Sequence, residues 1–420
     1  MFGRAHRRRP ARGVILLLLV AVVAGTLAGT GAAATRTQKN NVLGTKNVAK
    51  GSPVKVGVIS NGKTPTIDNS QETPVAEATA QWINEYQGGM GGHPIQLVIC
   101  NDGNEPGKAV DCANQMLQEK VVAVVIGQDG VAESSWRPLH DAGVPVFNYA
   151  SGNASMASDT ASTFMVANPR ASLFSLPAGV AKKAKSKKVS AVIIDVPAAT
   201  SFYKEQAPTL FKQQGLDFEL IAVAAGTADM TPQMQKLVSG NPKGTAFVVG
   251  NDAFCIAAFN GLRTAGFQGT TATIVQCITD ATRTAVPGDF LKSMQISSFA
   301  PLTNTKDPSI KQYNAILDKY GAEDVDRTNT VGAAMFNAMA AFGVAVKGMK
   351  GDVTPASVIS TIKSMPWSVV PGTGGLHFRC NGKADPTQPS VCSNATNAAT
   401  LDATGKPVTY TPVNDSEIPA

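Results

Sequence analysis

Short apolar runs alternate with segments of helical spacing along the first part of this chain. Residues 54–59, 95–99 and 121–126 are rich in Val and Ile and predict buried strands, whereas residues 74–87 and 108–119 carry apolar side chains at helical spacing. Regular alternation of strand and helix is typical of a parallel sheet with helices on both faces. This part of the sequence therefore predicts one doubly wound α/β lobe.

The same alternation begins again beyond residue 170. Strands are predicted at 189–194, 218–223, 246–249 and 273–275, with helices between them. The chain of 420 residues also exceeds the usual size of a single domain. The second series therefore predicts a second doubly wound lobe.

The pattern becomes helical after Asp307. Helices are predicted at 309–320, 328–346 and 355–364, whereas the tail from Ser368 is Gly-rich and predicts only short strands. Three helices are too few to form a core of their own, so we expect them to cover one of the two sheets. The chain must then cross between the lobes more than once.

The first 34 residues have the composition of a secretory signal peptide. Five arginines precede an apolar run at 14–24, and the small residues at 32–34 offer a cleavage site. A permanent anchor is the alternative, because residues 14–34 are just long enough to span a bilayer. Residues 35–52 are polar and predict a flexible tether. We expect an exported protein, either free outside the membrane or held there by an uncleaved signal.

The net charge of +7 comes mostly from that first segment. Beyond residue 34, the chain has 32 basic and 30 acidic residues. This near balance gives no indication of nucleic acid or an anionic membrane surface as a partner. A basic cluster at 182–188 suits the end of a helix, where cations are stabilised by the helix dipole, better than a docking surface.

Six cysteines follow the expected signal peptide, and an even number outside the cytoplasm indicates disulfides. Several connectivities remain open from the sequence alone. Nearest-neighbour pairing is favoured because each pair then lies within one local unit. The pairs would be Cys100 with Cys112, Cys255 with Cys277, and Cys380 with Cys392.

One segment matches the P-loop pattern letter for letter. Residues 57–64 read G-V-I-S-N-G-K-T and follow directly on a predicted strand. A P-loop needs a helix that begins at its Gly-Lys pair, yet Pro65 disfavours a helical Thr64. Gly57 also lies inside the predicted strand. A nucleotide hydrolase is therefore not favoured.

Other catalytic and metal-binding patterns are weak. Residues 201–204 and 360–363 match S-x-x-K, but the S-D-N and K-T-G elements that accompany this motif in penicillin-binding enzymes are missing. The acidic cluster of Asp102, Glu105 and Asp111 is interpreted as a solvated loop and not as a metal site. We predict no catalytic residue, no metal site and no cofactor.

Ligands of doubly wound sheets bind beyond the carboxyl ends of the strands, and two facing lobes would form a cleft from those loops. The loops carry amides, hydroxyls and a few aromatic rings, which suit a small polar solute. Many of these groups would alternatively cap the helices that follow. The candidate ligand-binding residues are Asn61, Lys63, Gln128, Asp129, Gly130, Asn148, Tyr149, Ser151 and Gly152 in the first lobe, and Phe202, Asp252 and Gln276 in the second.

Several short segments occur in a characteristic order. They are GGMGGHPIQL at 88–97 leading to Cys100, KAVDCA at 108–113, AVVIG at 123–127, AGVP at 142–145, RTAG at 263–266 and PGTGGLHF at 371–378. Over roughly residues 53–385 the chain thereby resembles the type I solute-binding proteins of ABC transporters, in particular the leucine/isoleucine/valine-binding family.

That resemblance implies the type I periplasmic-binding-protein fold, in which two Rossmann-like lobes are joined by a three-crossover hinge and close on the ligand. The crossings are expected near 166–170, 299–302 and 371–375. The expected lobes are residues 53–167 with 301–371 at the N-terminal side and residues 168–300 with 372–420 at the C-terminal side.

The resemblance also bears on the ligand contacts. In family members that bind amino acids, hydroxyls and amides of the loop after the third strand meet the carboxylate, and here the hydroxyls are displaced to Ser134 and Ser135. Those members often place an acid near Gln276 to meet the ammonium group, so Asp252 is the expected substitute. The first cysteine is Cys100, so a typical lipoprotein is not expected.

These inferences predict a non-catalytic, solute-binding component of an ABC importer. The expected partners are a small polar solute, such as an amino acid or an amide, and a membrane permease, and the protein is expected to be monomeric. A ligand-sensing subunit of a signalling system with the same fold is the alternative. An exported serine hydrolase using Ser201 and Lys204 is less favoured.

Overall fold

Residues 42–64 and 68–420 are described by the computed structural model, and the expected signal peptide lies outside them. Within the described residues, the first sheet consists of β1 (Val54–Ser60), β2 (Ile95–Asn101), β3 (Val124–Ile126), β4 (Val146–Asn148) and β5 (Thr163–Met165). All neighbouring strands are parallel, in the order β2-β1-β3-β4-β5. The central strands are buried because helices cover both faces, which explains their continuous apolar runs.

The second sheet is also mainly parallel. Its parallel strands are β6 (Lys188–Ile194), β7 (Asp217–Val223), β8 (Thr245–Val249), β9 (Thr270–Ile274) and β10 (Gln295–Ser298). After the short antiparallel pair β11 (Ser368–Val369) and β12 (His377–Phe378), the antiparallel strands β13 (Thr396–Leu401) and β14 (Pro407–Val413) extend the sheet from β10. The order in the sheet is β14-β13-β10-β9-β8-β6-β7.

The α-helices of the described residues lie between these strands along the chain, and some of them follow one another directly. They are α1 (Glu72–Trp82), α2 (Pro106–Gln118), α3 (Ala132–Asp141), α4 (Ala154–Ser158), α5 (Leu176–Lys183), α6 (Pro197–Glu205), α7 (Ala207–Gln213), α8 (Thr231–Gly240), α9 (Asp252–Thr264), α10 (Asp280–Ala285), α11 (Gly288–Leu291), α12 (Pro308–Lys319), α13 (Thr330–Ala345) and α14 (Pro355–Lys363). Two mainly parallel sheets with intervening helices confirm the predicted two-lobed α/β fold.

The late helical block covers the first sheet, as expected. Helix α13 is apolar on nearly its whole circumference, which is the pattern of a fully buried helix. The Asn329 side chain caps its first turn by accepting hydrogen bonds from the amides of Val331 and Gly332. Phe342 then packs edge-on against Phe147 of β4, with ring centroids 5.6 Å apart. The helix is therefore anchored to the sheet from which several cleft loops emerge.

The chain passes between the two sheets along neighbouring segments. One passage leads from β5 to α5 and another from β10 to α12, as the expected crossings near 166–170 and 299–302 imply. The third passage lies further along than the expected 371–375. Met165 of β5 still exchanges backbone hydrogen bonds of 2.8 Å with Ser390 and Cys392, and the chain enters the second sheet only at β13.

The cysteines of the described chain form the nearest-neighbour disulfides that the sequence favours. The bonds join Cys100 to Cys112, Cys255 to Cys277 and Cys380 to Cys392. The first fastens α2 to the end of β2, and the second links α9 to the turn after β9. These two bonds therefore brace strand–helix units near the edge where the cleft loops begin.

The last residues of the expected tether are held by backbone hydrogen bonds. Asn47 and Ala49 donate to the carbonyls of Glu85 and Asn84, and Lys50 and Gly51 donate to the carbonyl of Gly92. The polar composition that predicts a tether gave no sign of these bonds, because they use only backbone groups. Among the described residues, no helix combines the length and the apolar character that crossing a bilayer requires.

Candidate functional site

A cavity of about 580 Å³ lies where loops from both sheets meet. Asn61 follows β1, Gln128 follows β3 and Tyr149 follows β4, whereas Gln276 follows β9 and Ser298 ends β10. Parallel strands bring their carboxyl ends to one edge of a sheet, so these loops converge without being close in sequence. The crossing segments add Asn168, Phe299 and Thr396, and α13 adds Thr330 and Asn337.

Asn61 is fixed in the cavity wall by its neighbours. Its side-chain NH₂ group donates to Asp102 and to Asp129, each at 2.8 Å. Its side-chain oxygen accepts from the Gly130 amide at 3.3 Å and from the Asn69 side chain at 3.4 Å. Because both amide hydrogens are engaged, Asn61 positions two carboxyl groups and has no hydrogen left to donate to a ligand.

Glu72 shapes the loop after β3 from inside the protein. Its carboxyl group is fully buried, accepts from the Gln128 amide at 2.6 Å and lies 2.6 Å from the Ser60 hydroxyl. A side chain at Gly127 would place its Cβ 2.1 Å from Glu72 Oε1, which explains why this position needs a glycine. Burial raises the pKa of Glu72 to about 8, and the charges of Asp129 and Asp102 act in the same direction.

Asp129 presents the cavity with a carboxyl group that lacks a cationic partner among the described residues. Its Oδ1 accepts from Asn61 and from the Val131 amide at 2.7 Å, whereas its Oδ2 has no hydrogen-bond partner there. Burial raises the pKa of Asp129 well above the usual range of a carboxyl group, and the nearby charge of Asp102 raises it further. The described residues that line the cavity include no Lys, Arg or His.

The hinge side of the cavity offers aromatic faces and hydroxyl groups. Tyr149 packs edge-on against Phe299 with ring centroids 5.7 Å apart. Burial raises the pKa of the Tyr149 phenol, so it stays a neutral hydroxyl. Thr396 is 1 % exposed, and its hydroxyl has no hydrogen-bond partner among the described residues. Such an orphaned group is costly unless a ligand or water completes it.

Hydrogen bonds tie the cavity to α13 and to the crossing segments. The Gln128 side chain donates to the Thr330 carbonyl at 3.3 Å, and Asn337 donates to the Pro371 carbonyl at 2.7 Å. Asn397 donates to the carbonyls of both Phe299 and Thr373, and so joins the crossing segment after β10 to the loop between β11 and β12. These bonds fix the positions of the cavity walls relative to the segments that run between the sheets.

Half of the residues predicted from the sequence line this cavity. They are Asn61, Gln128, Asp129, Gly130, Tyr149 and Gln276. Gln276 is exposed and enters from the second sheet, opposite the loops of the first. The cavity therefore lies at the edge of both sheets where the strand carboxyl ends meet.

The other predicted residues of the first lobe lie outside the cavity lining. Lys63 is exposed and pairs with Asp68 at 2.7 Å. Asn148 is fully buried at the end of β4. The Ser151 hydroxyl accepts from the Asn153 amide, and Gly152 lies in the same turn before α4. Lys63 therefore belongs to a surface ion pair, Asn148 to the protein interior, and Ser151 and Gly152 to the turn that precedes a helix.

The remaining predicted residues of the second lobe also lie outside the cavity lining. Phe202 is half-buried against the core beneath β6 and packs edge-on against Tyr203, with ring centroids 5.0 Å apart. Asp252 begins α9, behind the cap in which Asn251 accepts from the Phe254 amide. A carboxylate in a first turn is favoured by the helix dipole without any ligand. Its expected role as ammonium partner has no support from this position, whereas Asp129 does line the cavity.

Several cavity residues were not predicted. Those with polar side chains are Asn69, Asn168, Ser172, Ser297, Ser298, Thr330, Asn337 and Thr396. Most lie on the crossing segments or on α13, so the order of strands and helices alone does not single them out. The expected crossings at 166–170 and 299–302 were the available signal for Asn168 and Phe299.

The patterns that suggest enzymes have structural explanations here. Gly57 lies within β1, and a Cβ there would come 2.6 Å from the sulfur of Met116, so the glycine allows α2 to pack closely. Lys204 is exposed and lies 3.7 Å from Asp195. Among the described residues, no group of His, Cys, Asp or Glu is arranged to hold a metal ion.

Solved structures share this architecture. An ABC transporter substrate-binding protein from Sphaerobacter thermophilus is 15% identical over 87% of this chain and 99% of its own, with a TM-score of 0.66. The branched-chain amino acid transporter substrate binding protein from Streptococcus pneumoniae, in complex with isoleucine, is 18% identical over 86% and 99%, with a TM-score of 0.59. A solute-binding protein from R. palustris, in complex with 4-hydroxybenzoate, is 18% identical over 87% and 96%, with a TM-score of 0.60.

At these identities the structural neighbours establish the fold alone. A search of curated protein sequences finds no match. The model of the family described as periplasmic binding protein matches residues 53–396, which include both sheets up to the start of β13 and the whole cavity. The family consists of non-enzymatic solute-binding proteins. By its sequence and its two-lobed architecture, this chain belongs to the periplasmic binding protein family.

Proposed function

We propose that this protein is the extracytoplasmic solute-binding component of an ABC importer. It captures a small polar solute in the cavity between the two sheets and delivers it to a membrane permease. The observation that carries the proposal is the cavity itself, whose walls come from the carboxyl ends of two separate sheets joined by several crossing segments. A ligand that touches both walls stabilises their closed arrangement.

The composition of the cavity supports a polar solute of modest size. Side-chain amides and hydroxyls line much of it, and the volume of about 580 Å³ falls within the range of small-molecule sites. Closure would remove water from around these groups and strengthen their hydrogen bonds to the solute. Two neighbours carry chemically different ligands, isoleucine and 4-hydroxybenzoate, so fold similarity does not select one for this chain.

Thermal unfolding of the purified protein against a solute library tests this proposal. The library should contain amino acids, amides, short peptides, sugars and amines. A solute present at 100 times its Kd adds about 2.7 kcal/mol to the free energy of unfolding, which raises Tm measurably. We expect a small polar solute to raise Tm, and Gln276→Trp, which fills the cavity from the second sheet, to abolish the shift. Failure of every solute class to raise Tm contradicts the proposal.

The importer role and hinge closure have separate tests. We expect the radius of gyration in small-angle X-ray scattering to fall when the solute is added, because closure makes the molecule more compact. Deleting the gene should reduce uptake of the same solute by the cells. Tight binding without any effect on uptake would instead favour the ligand-sensing role of the same fold.

A further inference from the structure

The charge of the cavity is one-sided. Asp129 is the only acidic residue among the described lining residues, and they include no basic one. Cations next to lining residues already have partners, since Arg170 pairs with Asp385 and Lys63 pairs with Asp68. The wall around Asp129 therefore carries negative charge without a counterion from the described chain.

Two carboxyl groups share this environment. Asp102 is fully buried behind the wall, lies within hydrogen-bonding range of Asp129 and is bridged to it by the Asn61 amide. The Oδ2 atoms of both carboxyl groups are buried and, apart from the other carboxyl group, have no hydrogen-bond partner among the described residues. The nearby charge of Asp102 therefore favours the protonated form of Asp129 when no cation is present.

The rest of the lining is neutral. It offers the Gln276 amide from the second sheet, and the rings of Tyr149 after β4 and of Phe299 after β10. Aromatic faces attract cations, and hydroxyls and amides satisfy neutral polar groups, but none of these side chains neutralises a carboxylate. A solute with a cationic end and a neutral body therefore matches both walls.

We propose that the solute is a protonated amine without a carboxylate, and that its ammonium group binds Asp129 on the first-sheet side. This inference rests on the proposed solute-binding function and specifies its substrate class. Binding displaces the proton of Asp129, which leaves for solvent, and the ammonium group takes its place as the positive partner. Asn61 and Asp102 act as positioning residues behind Asp129.

Binding of the amine should strengthen as pH rises. The charged groups that face Asp129 are Asp102 from the loop after β2 and Glu72 from α1, and both are acidic. Burial and the nearby charge of Asp102 raise the pKa of Asp129, so at low pH its carboxyl is neutral and cannot pair with a cation. Below that pKa, apparent affinity should fall by up to about tenfold per pH unit.

Matched sets of probes test the inference by titration calorimetry. Each set contains a primary amine, the α-amino acid from which it would arise by decarboxylation, and the neutral alcohol of the same shape. Suitable sets are 3-methylbutylamine, leucine and 3-methylbutanol, then 2-phenylethylamine, phenylalanine and 2-phenylethanol. Cadaverine and lysine extend the comparison to a diamine. We expect at least one amine to bind about tenfold or more tightly than its amino acid and its alcohol.

Matched variants locate the contact. Asp129→Asn keeps the shape but removes the charge, and should weaken amine binding about tenfold or more and flatten its pH dependence. Asp229→Asn is the control, because Asp229 is exposed, lies outside the cavity lining and accepts hydrogen bonds from Thr231 at the start of α8. It should leave the affinity within about twofold of wild type.

The outcomes separate this inference from the proposed function. If an amino acid or an alcohol binds better than its amine, or if Asp129→Asn leaves amine affinity unchanged, the amine class is wrong while solute binding stands. If no amine binds but another class in the solute library raises Tm, only the present inference fails. If no solute of any class binds, the proposed function fails as well.

Discussion

The buried carboxyl of Glu72 should make this protein less stable as pH rises through the neutral range. Its pKa is about 8 in the folded protein, against 4.5 for an unperturbed glutamate. The folded state therefore keeps a proton that the unfolded state has lost, and between these two values the free energy of unfolding falls as pH increases. Glu72→Gln replaces the protonated carboxyl by a neutral amide of nearly the same shape, and so removes this dependence.

The expected magnitude follows from the linkage of protonation and folding. Each pH unit between the two pKa values corresponds to about 1.4 kcal/mol, so wild type should lose about 3 kcal/mol relative to Glu72→Gln between pH 4.5 and pH 7. The amide can preserve the local contacts, since its oxygen can accept from the Gln128 amide and its NH₂ group can donate to Ser60. The free energy of unfolding of the variant should therefore rise steadily relative to that of wild type as pH increases across this range.

Urea unfolding at half-unit steps from pH 4.5 to pH 8 measures this difference. Glu77→Gln is the matched control, because Glu77 lies on the same helix with its side chain exposed. The free energy of unfolding of the control should follow that of wild type at every pH. The reasoning is refuted if the difference in free energy of unfolding between Glu72→Gln and wild type stays constant with pH, or if the variant becomes the less stable protein at high pH. Either result would show that Glu72 is ionised in the folded protein.

Three further changes have defined outcomes. Gly127→Ala should lower the free energy of unfolding by about 1–3 kcal/mol, because its Cβ meets Glu72, whereas Gly152→Ala, with open space around it, should cost far less in the same urea assay. The Cys380→Ser, Cys392→Ser double variant should lose about 2–3 kcal/mol in denaturant unfolding through the opened 12-residue loop, and an unchanged midpoint would contradict this. Asp252→Asn should leave solute affinity unchanged in calorimetry, since this residue begins α9 outside the cavity, and a large loss would restore it as the ligand partner.

Much of the fold follows from hydrophobic pattern, and the exceptions have physical reasons. Strands such as β1 and β6 and the buried helix α13 carry long, regular runs of apolar residues, so their positions were predictable. Strand β5 has three residues, too few to show a period, and was missed. Strand β13, which reads TNAATL, gains its place from pairing with β10 and not from its own composition.

The candidate site was predictable to the level of loops but not of side chains. Asp129 and Asp252 both follow strands, so the sequence gives no reason to prefer one. Asp129 faces the cavity because Asn61 and the Val131 amide hold it there, whereas Asp252 is drawn into the first turn of a helix. Glu72 illustrates the same limit, since only folding reveals that it reaches the loop after β3.

The most direct test of the central claim is a crystal structure of the protein with the solute that binds it most tightly. The account predicts that the solute occupies the cavity and contacts Asp129 from the first sheet and Gln276 from the second at the same time. A solute bound elsewhere on the surface, or held by residues of one sheet only, would contradict capture between the two lobes.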